Sequence, residues 1–329
     1  MRGTRGAPAG RTGRNFRLLR LVPTTNNQYL PLNLPVMSHT ILVTGATGTV
    51  GSELVKALTN RGLTVRAGVH SLIKGERLRQ LDPGVQLVEI EYSRPESLRV
   101  ALTGVDRMFM ITPFSEDQVE IGKRLVDAAR QAGVQQVVKL SAAGAEAEPG
   151  IQLGRWHREV EQYLEQSGLA YTLLRPGGFM QNFLNYNGDS IRREGQFYMP
   201  VGAGQVSYID VRDIAAAAAA ILSAPDSAHY GQAYTLTGPA AVSGHDVAAA
   251  LSQATGRAIS YVDVPEEAAA QAMAQAPAWL RESMLELQRL YKAGYAAGVT
   301  PTVEQLTSCP ARTIEQFAKD YRQQFQAPA

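Results

Sequence analysis

Residues 40–51, Thr-Ile-Leu-Val-Thr-Gly-Ala-Thr-Gly-Thr-Val-Gly, restrict what this chain can fold into more than any other stretch. The apolar run Ile41-Leu42-Val43 leads straight into Gly45, Gly48 and Gly51. An amphipathic pattern from Ser52 to Asn60 follows and is closed by Arg61-Gly62. That order reads as strand, tight turn, helix. Gly45 permits the sharp turn, Gly48 leaves room for backbone to approach a pyrophosphate, and Gly51 lets the helix pack close to the sheet. The start of such a helix offers free N–H groups and a partial positive charge to phosphate oxygens. A glycine triplet alone is weak; with a strand before it and a helix after it, the triplet points to nucleotide binding. The alternative is a tight βα turn in a protein that binds no nucleotide.

From Thr40 onward strand and helix patterns alternate, as in a parallel sheet covered on both faces. Strands are expected at 64–69, 85–90, 107–112, 136–140 and 171–174, with a helix near 154–166. Ser93 with Glu96, and Ser115 with Gln118, have capping-box spacing at two helix starts. Beyond Pro176 the alternation loosens: a short strand is expected at 206–209, an alanine-rich helix capped by Asp210, a strand at 233–236 and an edge strand at 261–264. The fold class that follows is α/β, a doubly wound, mostly parallel Rossmann-type sheet with a smaller, mainly helical C-terminal lobe. The expected division is a disordered extension over 1–37, a nucleotide-binding core over 38–182, an excursion into the substrate lobe over 183–205, a return to the core over 206–239, and a substrate or lid lobe over 240–329.

Charge narrows the partners. Six of the 32 basic residues (Arg2, Arg5, Arg11, Arg14, Arg17 and Arg20) fall within residues 1–36, which hold no acid. The remainder carries 26 basic residues against 30 acidic ones, a formal charge of −4 that disfavours nucleic acid. The extension resembles a transit peptide in its arginines, but a disordered extension, from a start codon ahead of Met37, is the preferred reading. No run approaches a membrane span. Cys309 is the single cysteine, so no internal disulfide forms, and a cytoplasmic, reducing setting is expected. The five histidines show no metal-ligand spacing, and no metal is expected.

Four signatures recur in order: Thr44 to Gly51; Pro95-Glu96-Ser97-Leu98; Leu174-Arg175-Pro176 with Phe179-Met180-Gln181-Asn182; and Ile209-Asp210-Val211-Arg212-Asp213. Together they resemble the NmrA-like family of atypical short-chain dehydrogenases/reductases from about Thr40 to about Phe325. The family includes quinone, azo-dye, triphenylmethane-dye and natural-product reductases, and redox sensors that bind the cofactor without evident turnover. The resemblance implies that Gly45, Ala46, Thr47, Gly48, Thr49, Val50 and Gly51 wrap the pyrophosphate. His70 and Ser71 would meet the adenosine ribose, with Lys74 nearby. An NAD-specific site has an acid about there, whereas the first acid here is Glu76. NADP(H) is therefore favoured over NAD(H). Glu91 would lie near adenine, Ile111, Thr112, Pro113 and Ser141 along the crevice, and Pro176 to Phe179 at the nicotinamide end.

Ordinary members of the superfamily use Tyr-x-x-x-Lys, the tyrosine as acid. By the resemblance, anchored on Glu161, His157 falls at the lysine position and Leu153 at the tyrosine position. Leucine cannot protonate an alkoxide, so ordinary ketone reduction is disfavoured. Quinones, azo and triphenylmethane dyes, iminium ions and enones accept hydride more readily, and positioning does most of the work. His157 is the candidate catalytic residue, by ribose contact or proton relay; the alternative is a surface histidine paired with Glu161. Met180, Gln181, Asn182 and Phe183 are candidate substrate contacts, with packing between lobes as the alternative. The expected function is an NAD(P)H-dependent reductase of a small conjugated electrophile, a monomer or homodimer; a non-catalytic redox sensor is the alternative.

Overall fold

A computed structural model describes residues 39–225 and 227–327. The expected extension over 1–37 lies outside the described residues. Strand and helix alternate from the start: β1 (Thr40–Val43), α1 (Thr49–Thr59), β2 (Thr64–Val69), α2 (Leu72–Arg79), β3 (Gln86–Glu89), α3 (Pro95–Leu102), β4 (Arg107–Met110), α4 (Gln118–Gln131), β5 (Gln136–Leu140), α5 (Gln152–Glu165) and β6 (Ala170–Pro176). The chain then makes α6 (Asn182–Asn185), α7 (Gly188–Glu194), β7 (Gln196–Met199) and β8 (Gln205–Val206) before α8 (Val211–Ser223) and β9 (Gln232–Leu236). It ends in β10 (Val242–Ser243), α9 (Gly244–Thr255), β11 (Ser260–Asp263), α10 (Glu266–Ala272), α11 (Ala278–Lys292), α12 (Thr302–Thr307) and α13 (Ile314–Asp320).

Seven strands form one sheet in the order β3-β2-β1-β4-β5-β6-β9, and every pairing is parallel. The winding reverses between β1 and β4, which opens a crevice at the carboxyl ends of these strands. Because both faces are covered, the central strands are mostly apolar rather than alternating. Val43, Phe109 and Val138 face a layer that includes α1 and α8. Leu42, Met108 and Val137 face a layer that includes α3, α4 and α5. The alanines of α8 let it lie close to α1, with Ala215, Ala217, Ala218 and Ala219 all buried.

Three local expectations are corrected. Neither capping box forms: α3 and α4 start after Arg94 and Asp117, without a side-chain cap. Ser93 bonds Glu91, and Ser115 bonds Asp117, because these short side chains find a nearer partner in the same turn. Of the strand expected at 206–209 only Val206 lies in a strand, β8, which pairs antiparallel with β10 rather than joining the main sheet. Strand β7, which carries no clear sequence signal, pairs parallel with β11.

Asp210 does cap α8, accepting the Arg212 N–H at 2.9 Å. Its carboxylate also holds the Arg212 guanidinium, which reaches Asp320 at 2.7 Å on α13. Asp213 accepts the Arg312 N–H at 2.7 Å and pairs with its side chain. The first turn of α8 is thus the joint that ties Arg312 and α13 to the core. No helix among the described residues is long and apolar enough to cross a membrane.

Candidate active site

The glycine turn is built as its sequence requires. Gly45 sits at φ +60°, where a side chain is strained. A Cβ on Gly51 would lie 2.3 Å from the Gly45 carbonyl oxygen, so only glycine lets α1 seat against the turn. A Cβ on Gly48 would meet only that same oxygen, at 3.2 Å, leaving its outer side open. Gly48 is the N-cap of α1 and offers no side chain; its own N–H is spent on Gly45 at 2.9 Å. The N–H groups of the following turn, from Thr49 to Gly51, have no side-chain cap. This cradle fits a pyrophosphate. Val50 is 4% exposed and belongs to the core, so only its backbone can meet a phosphate.

Beside the cradle, an exposed His70 follows β2, and Ser71 is the N-cap of α2. Lys74 and Arg77 are exposed on α2, and the Arg77 guanidinium donates to the Thr47 carbonyl of the turn. Glu76, the first acid, is paired with Arg79 at 3.2 Å. Arg77 was not among the expected ribose contacts; its sign was the i, i+3 spacing from Lys74, which puts both on one helix face.

Across the crevice, Thr44 clamps β1 to the end of β4: its hydroxyl donates to Ile111 O at 2.8 Å and accepts the Ile111 N–H at 2.7 Å. The Thr112 hydroxyl is buried with no partner among the described residues, an orphan that a bound ligand would satisfy. Pro113 is half-buried beside it. The Glu91 N–H is held by Ser97 Oγ at 2.9 Å, which fixes the loop after β3. Burial pushes the neighbouring Tyr92 phenol up, against a side-chain contact with Thr44 that lowers it.

Helix α5 presents Gly154, His157, Glu161 and Leu164 to the sheet, one residue per turn on one face. Leu153, at the expected tyrosine position, is half-buried. His157 is not a surface partner of Glu161. Its Nδ1 lies 3.0 Å from Nζ of Lys139, a lysine in the middle layer of the fold with no exposed surface. Lys139 Nζ also donates to the Leu140 carbonyl at 3.2 Å. Burial lowers the lysine to about 7; Glu161 opposes this and Arg175 adds to it. Burial, then the lysine charge, holds the imidazole well below its usual range.

Glu161 is fully buried and spent elsewhere: on Ser141 Oγ at 2.6 Å, on Arg175 through both oxygens at 2.9 and 2.8 Å, and on Arg158 at 3.0 Å. Burial pushes its carboxyl up, but the bonds from Arg175 and Ser141 outweigh it, and the net shift is downward. Ser141, expected along the crevice, therefore points its hydroxyl at Glu161. Lys139 is the residue sequence reasoning missed. Its signal was a lone cation inside the apolar run Val137-Val138-Lys139-Leu140 of a central strand, where a charge is costly without a partner.

The segment after β6 buries three of the four expected substrate contacts. Met180, Gln181 and Phe183 are 1%, 4% and 2% exposed. Phe183 packs edge-on to Phe197 and Tyr208 in the lobe core. Met180 borders a cavity of about 90 Å³ walled by Tyr208, Val242 and Ile314, inside the lobe. The Gln181 amide donates to Asp210 at 2.9 Å and accepts the Val211 N–H at 3.0 Å, so it braces the start of α8. These side chains hold the lobe to the sheet because apolar bulk beside a buried cap is most stable packed there. Asn182 stays half-buried, as does Phe179, which bridges to Ile209; Pro176 is buried at the end of β6.

An aromatic wall comes from elsewhere. Phe114 after β4, Trp156 on α5 and Trp279 on α11 meet with ring centroids 5.3 to 6.1 Å apart. Helix α11 is pinned to the first turn of α5: Glu286 accepts the Gln152 N–H at 2.7 Å, and Ser283 Oγ donates to the Gln152 side chain at 2.9 Å. Three segments far apart in sequence supply this cluster, which no local pattern announces.

A parallel sheet with a glycine-lined βα turn at its switch point defines a Rossmann-type dinucleotide-binding protein. Within that class, the chain belongs to the NmrA-like family, whose profile matches residues 37–321. It is 45% identical over 289 residues to an NAD(P)H azoreductase of Xenophilus azovorans, covering 87% of this chain and 99% of that protein. It is 36% identical over 290 residues to a (4-alkanoyl-5-oxo-2,5-dihydrofuran-3-yl)methyl phosphate reductase of Streptomyces griseus, covering 87% and 99%. Among solved structures it resembles the NADPH complex of the quinone oxidoreductase QOR2 of Escherichia coli, with TM-score 0.75, 26% identity, and 85% and 99% coverage.

Proposed function

We propose that the protein is an NAD(P)H-dependent reductase that transfers hydride to a flat, conjugated electrophile of the azo or quinone type. The observation that carries this reading is the glycine cradle: Gly51 seated against the Gly45 carbonyl, and Gly48 open-faced before an uncapped helix start. Similarity to an azoreductase along nearly its whole length supports it. The cofactor, once bound, supplies the hydride. The chain's residues bind and orient it: backbone of 45–51 at the pyrophosphate, and His70, Ser71, Lys74 and Arg77 at the ribose.

NADP(H) is the preferred form. With Glu76 occupied by Arg79, no free carboxylate follows β2 to take the 2′-hydroxyl, while Lys74 and Arg77 offer two cations to a 2′-phosphate. Phe114, Trp156 and Trp279 form the wall against which a planar acceptor stacks. The cytoplasm is the expected setting. A purely sensory role has nothing in its favour beyond Leu153.

The test is purified protein with NADPH or NADH and a panel of azo dyes, quinones and a triphenylmethane dye. Acceptor-dependent loss of reduced-cofactor absorbance, faster with NADPH, is the expected result. Tight NADPH binding with no turnover of any acceptor overturns the enzymatic reading.

A further inference from the structure

Leu153 leaves the usual acid position without a proton, yet reduction of an azo or quinone acceptor consumes one proton for each hydride. Resting on the reductase reading above, we propose that Lys139 is a positioning residue: it holds His157 as the Nε2–H tautomer and replaces the proton that His157 gives up. Strand β5 and helix α5 together would then supply the acid that a single helix supplies in ordinary relatives.

Geometry carries the inference. In its ammonium form Lys139 has only donors, so at 3.0 Å it makes Nδ1 of His157 the acceptor and leaves the ring proton on Nε2. Lys139 has no exposed surface, whereas His157 is half-buried. Among the described residues, Lys139 Nζ has two polar neighbours within hydrogen-bond range, His157 and the Leu140 carbonyl. A fully buried cation without a bonded carboxylate is costly to retain for packing alone. Other charged groups near the pair are engaged elsewhere. Glu161 is taken by Ser141, Arg158 and Arg175; Arg175 also reaches Glu146. Lys123 and Asp127 of α4 meet Glu159 and Tyr163, and Glu286 of α11 meets Gln152 and Arg155.

The step balances. One nitrogen of the N=N bond gains a hydride with its electron pair, the π bond breaks, and the second nitrogen takes the Nε2 proton of His157, giving the hydrazo product. Lys139 Nζ delivers a proton to Nδ1 and becomes an amine; His157 Nε2 then takes a proton from solvent, and the Nδ1 proton returns to the Lys139 amine, which restores the starting pair. The depressed lysine suits this duty, since its proton is exchangeable near neutrality.

The first test needs no turnover. ¹⁵N-histidine NMR of the cofactor-free protein, with the His157→Gln variant for assignment, reads tautomer and titration. Wild type should show the neutral Nε2–H form below pH 6, and Lys139→Met should lose that tautomer bias and titrate at higher pH. The same tautomer and titration in both proteins overturns the proposal.

The second test compares an azo dye with a triphenylmethane cation, which needs hydride but no proton. In Lys139→Met and in His157→Gln the ratio of azo to triphenylmethane turnover should fall about 100-fold, and the decline of azo reduction through pH 7 should disappear. Equal losses for both dyes, with NADPH binding retained, overturn the relay. Wild type that reduces neither dye sinks the reductase reading instead, while the NMR result still decides the Lys139–His157 pair.

Discussion

Replacing Gly51 by alanine tests the glycine turn most directly. The new methyl would lie 2.3 Å from the Gly45 carbonyl oxygen and 2.9 Å from both the Gly45 carbonyl carbon and Ala46 Cα. All three are backbone atoms, so no rotamer change relieves the clash, and turn and helix must separate by about 1 Å to restore ordinary contact. Overpacking of this kind costs about 1–3 kcal/mol, and the upper end applies where only backbone can yield. Alanine in a helix gains about 1 kcal/mol over glycine, leaving a net loss of about 2 kcal/mol. For a chain of this size that lowers Tm by roughly 3 °C. Thermal unfolding followed by circular dichroism measures it, with Gly48→Ala as control, since its methyl meets a single oxygen at 3.2 Å. The control should keep Tm within about 2 °C of wild type yet bind NADPH at least tenfold more weakly, a loss of about 1.4 kcal/mol. A Gly51→Ala protein that melts within a degree of wild type would refute the close-packing argument.

Gly48→Val should abolish NADPH binding by fluorescence titration while the far-ultraviolet spectrum stays native; retained binding would mean the cradle does not meet the pyrophosphate. Val50→Arg, by contrast, should unfold the protein, because Val50 is buried; a folded variant that merely loses cofactor would contradict this. Arg77→Ala should weaken NADPH at least tenfold and NADH little, measured by parallel calorimetric titrations; equal effects would remove Arg77 from the 2′-phosphate. Lys139 binds its proton less tightly folded, at about 7, than unfolded, at its ordinary 10.5. The unfolded chain therefore holds more protons between these values, and this residue's contribution to stability rises with pH from about 7 to 10.5. Below pH 7 the full penalty of the buried charge is present. Denaturant midpoints of wild type minus Lys139→Met across that range should rise, and a flat difference would contradict the buried charge.

Much of the fold was legible because its determinants are local. The limits of β2 and the N-cap role of Asp210 follow from neighbouring residues alone. The capping boxes failed for a local reason too: Ser93 and Ser115 have acids two residues away that compete for their hydroxyls. The site was less legible. His157 was recognisable by its spacing from Glu161, but its contact with Lys139 was not, since i, i+4 spacing says which side chains share a helix face and not what lies beneath that face. Beneath it are Lys139 from β5 and Arg175 from β6, brought together only by parallel pairing of the two strands.

What the sequence determined by itself is the nucleotide-binding turn, the alternation behind the parallel sheet, and membership in a family of reductases. Each is written in contiguous residues whose backbone preferences and periodicity act over one or two turns. Tertiary structure decided which polar groups meet. It spent Glu161 and Ser141 on each other, sank Met180 and Phe183 into the lobe, set Lys139 against His157, and assembled Phe114, Trp156 and Trp279 from three distant segments. Buried charges and aromatic faces take whatever partner packing brings within reach, and that geometry exists only once the sheet has closed and the C-terminal helices have docked on it.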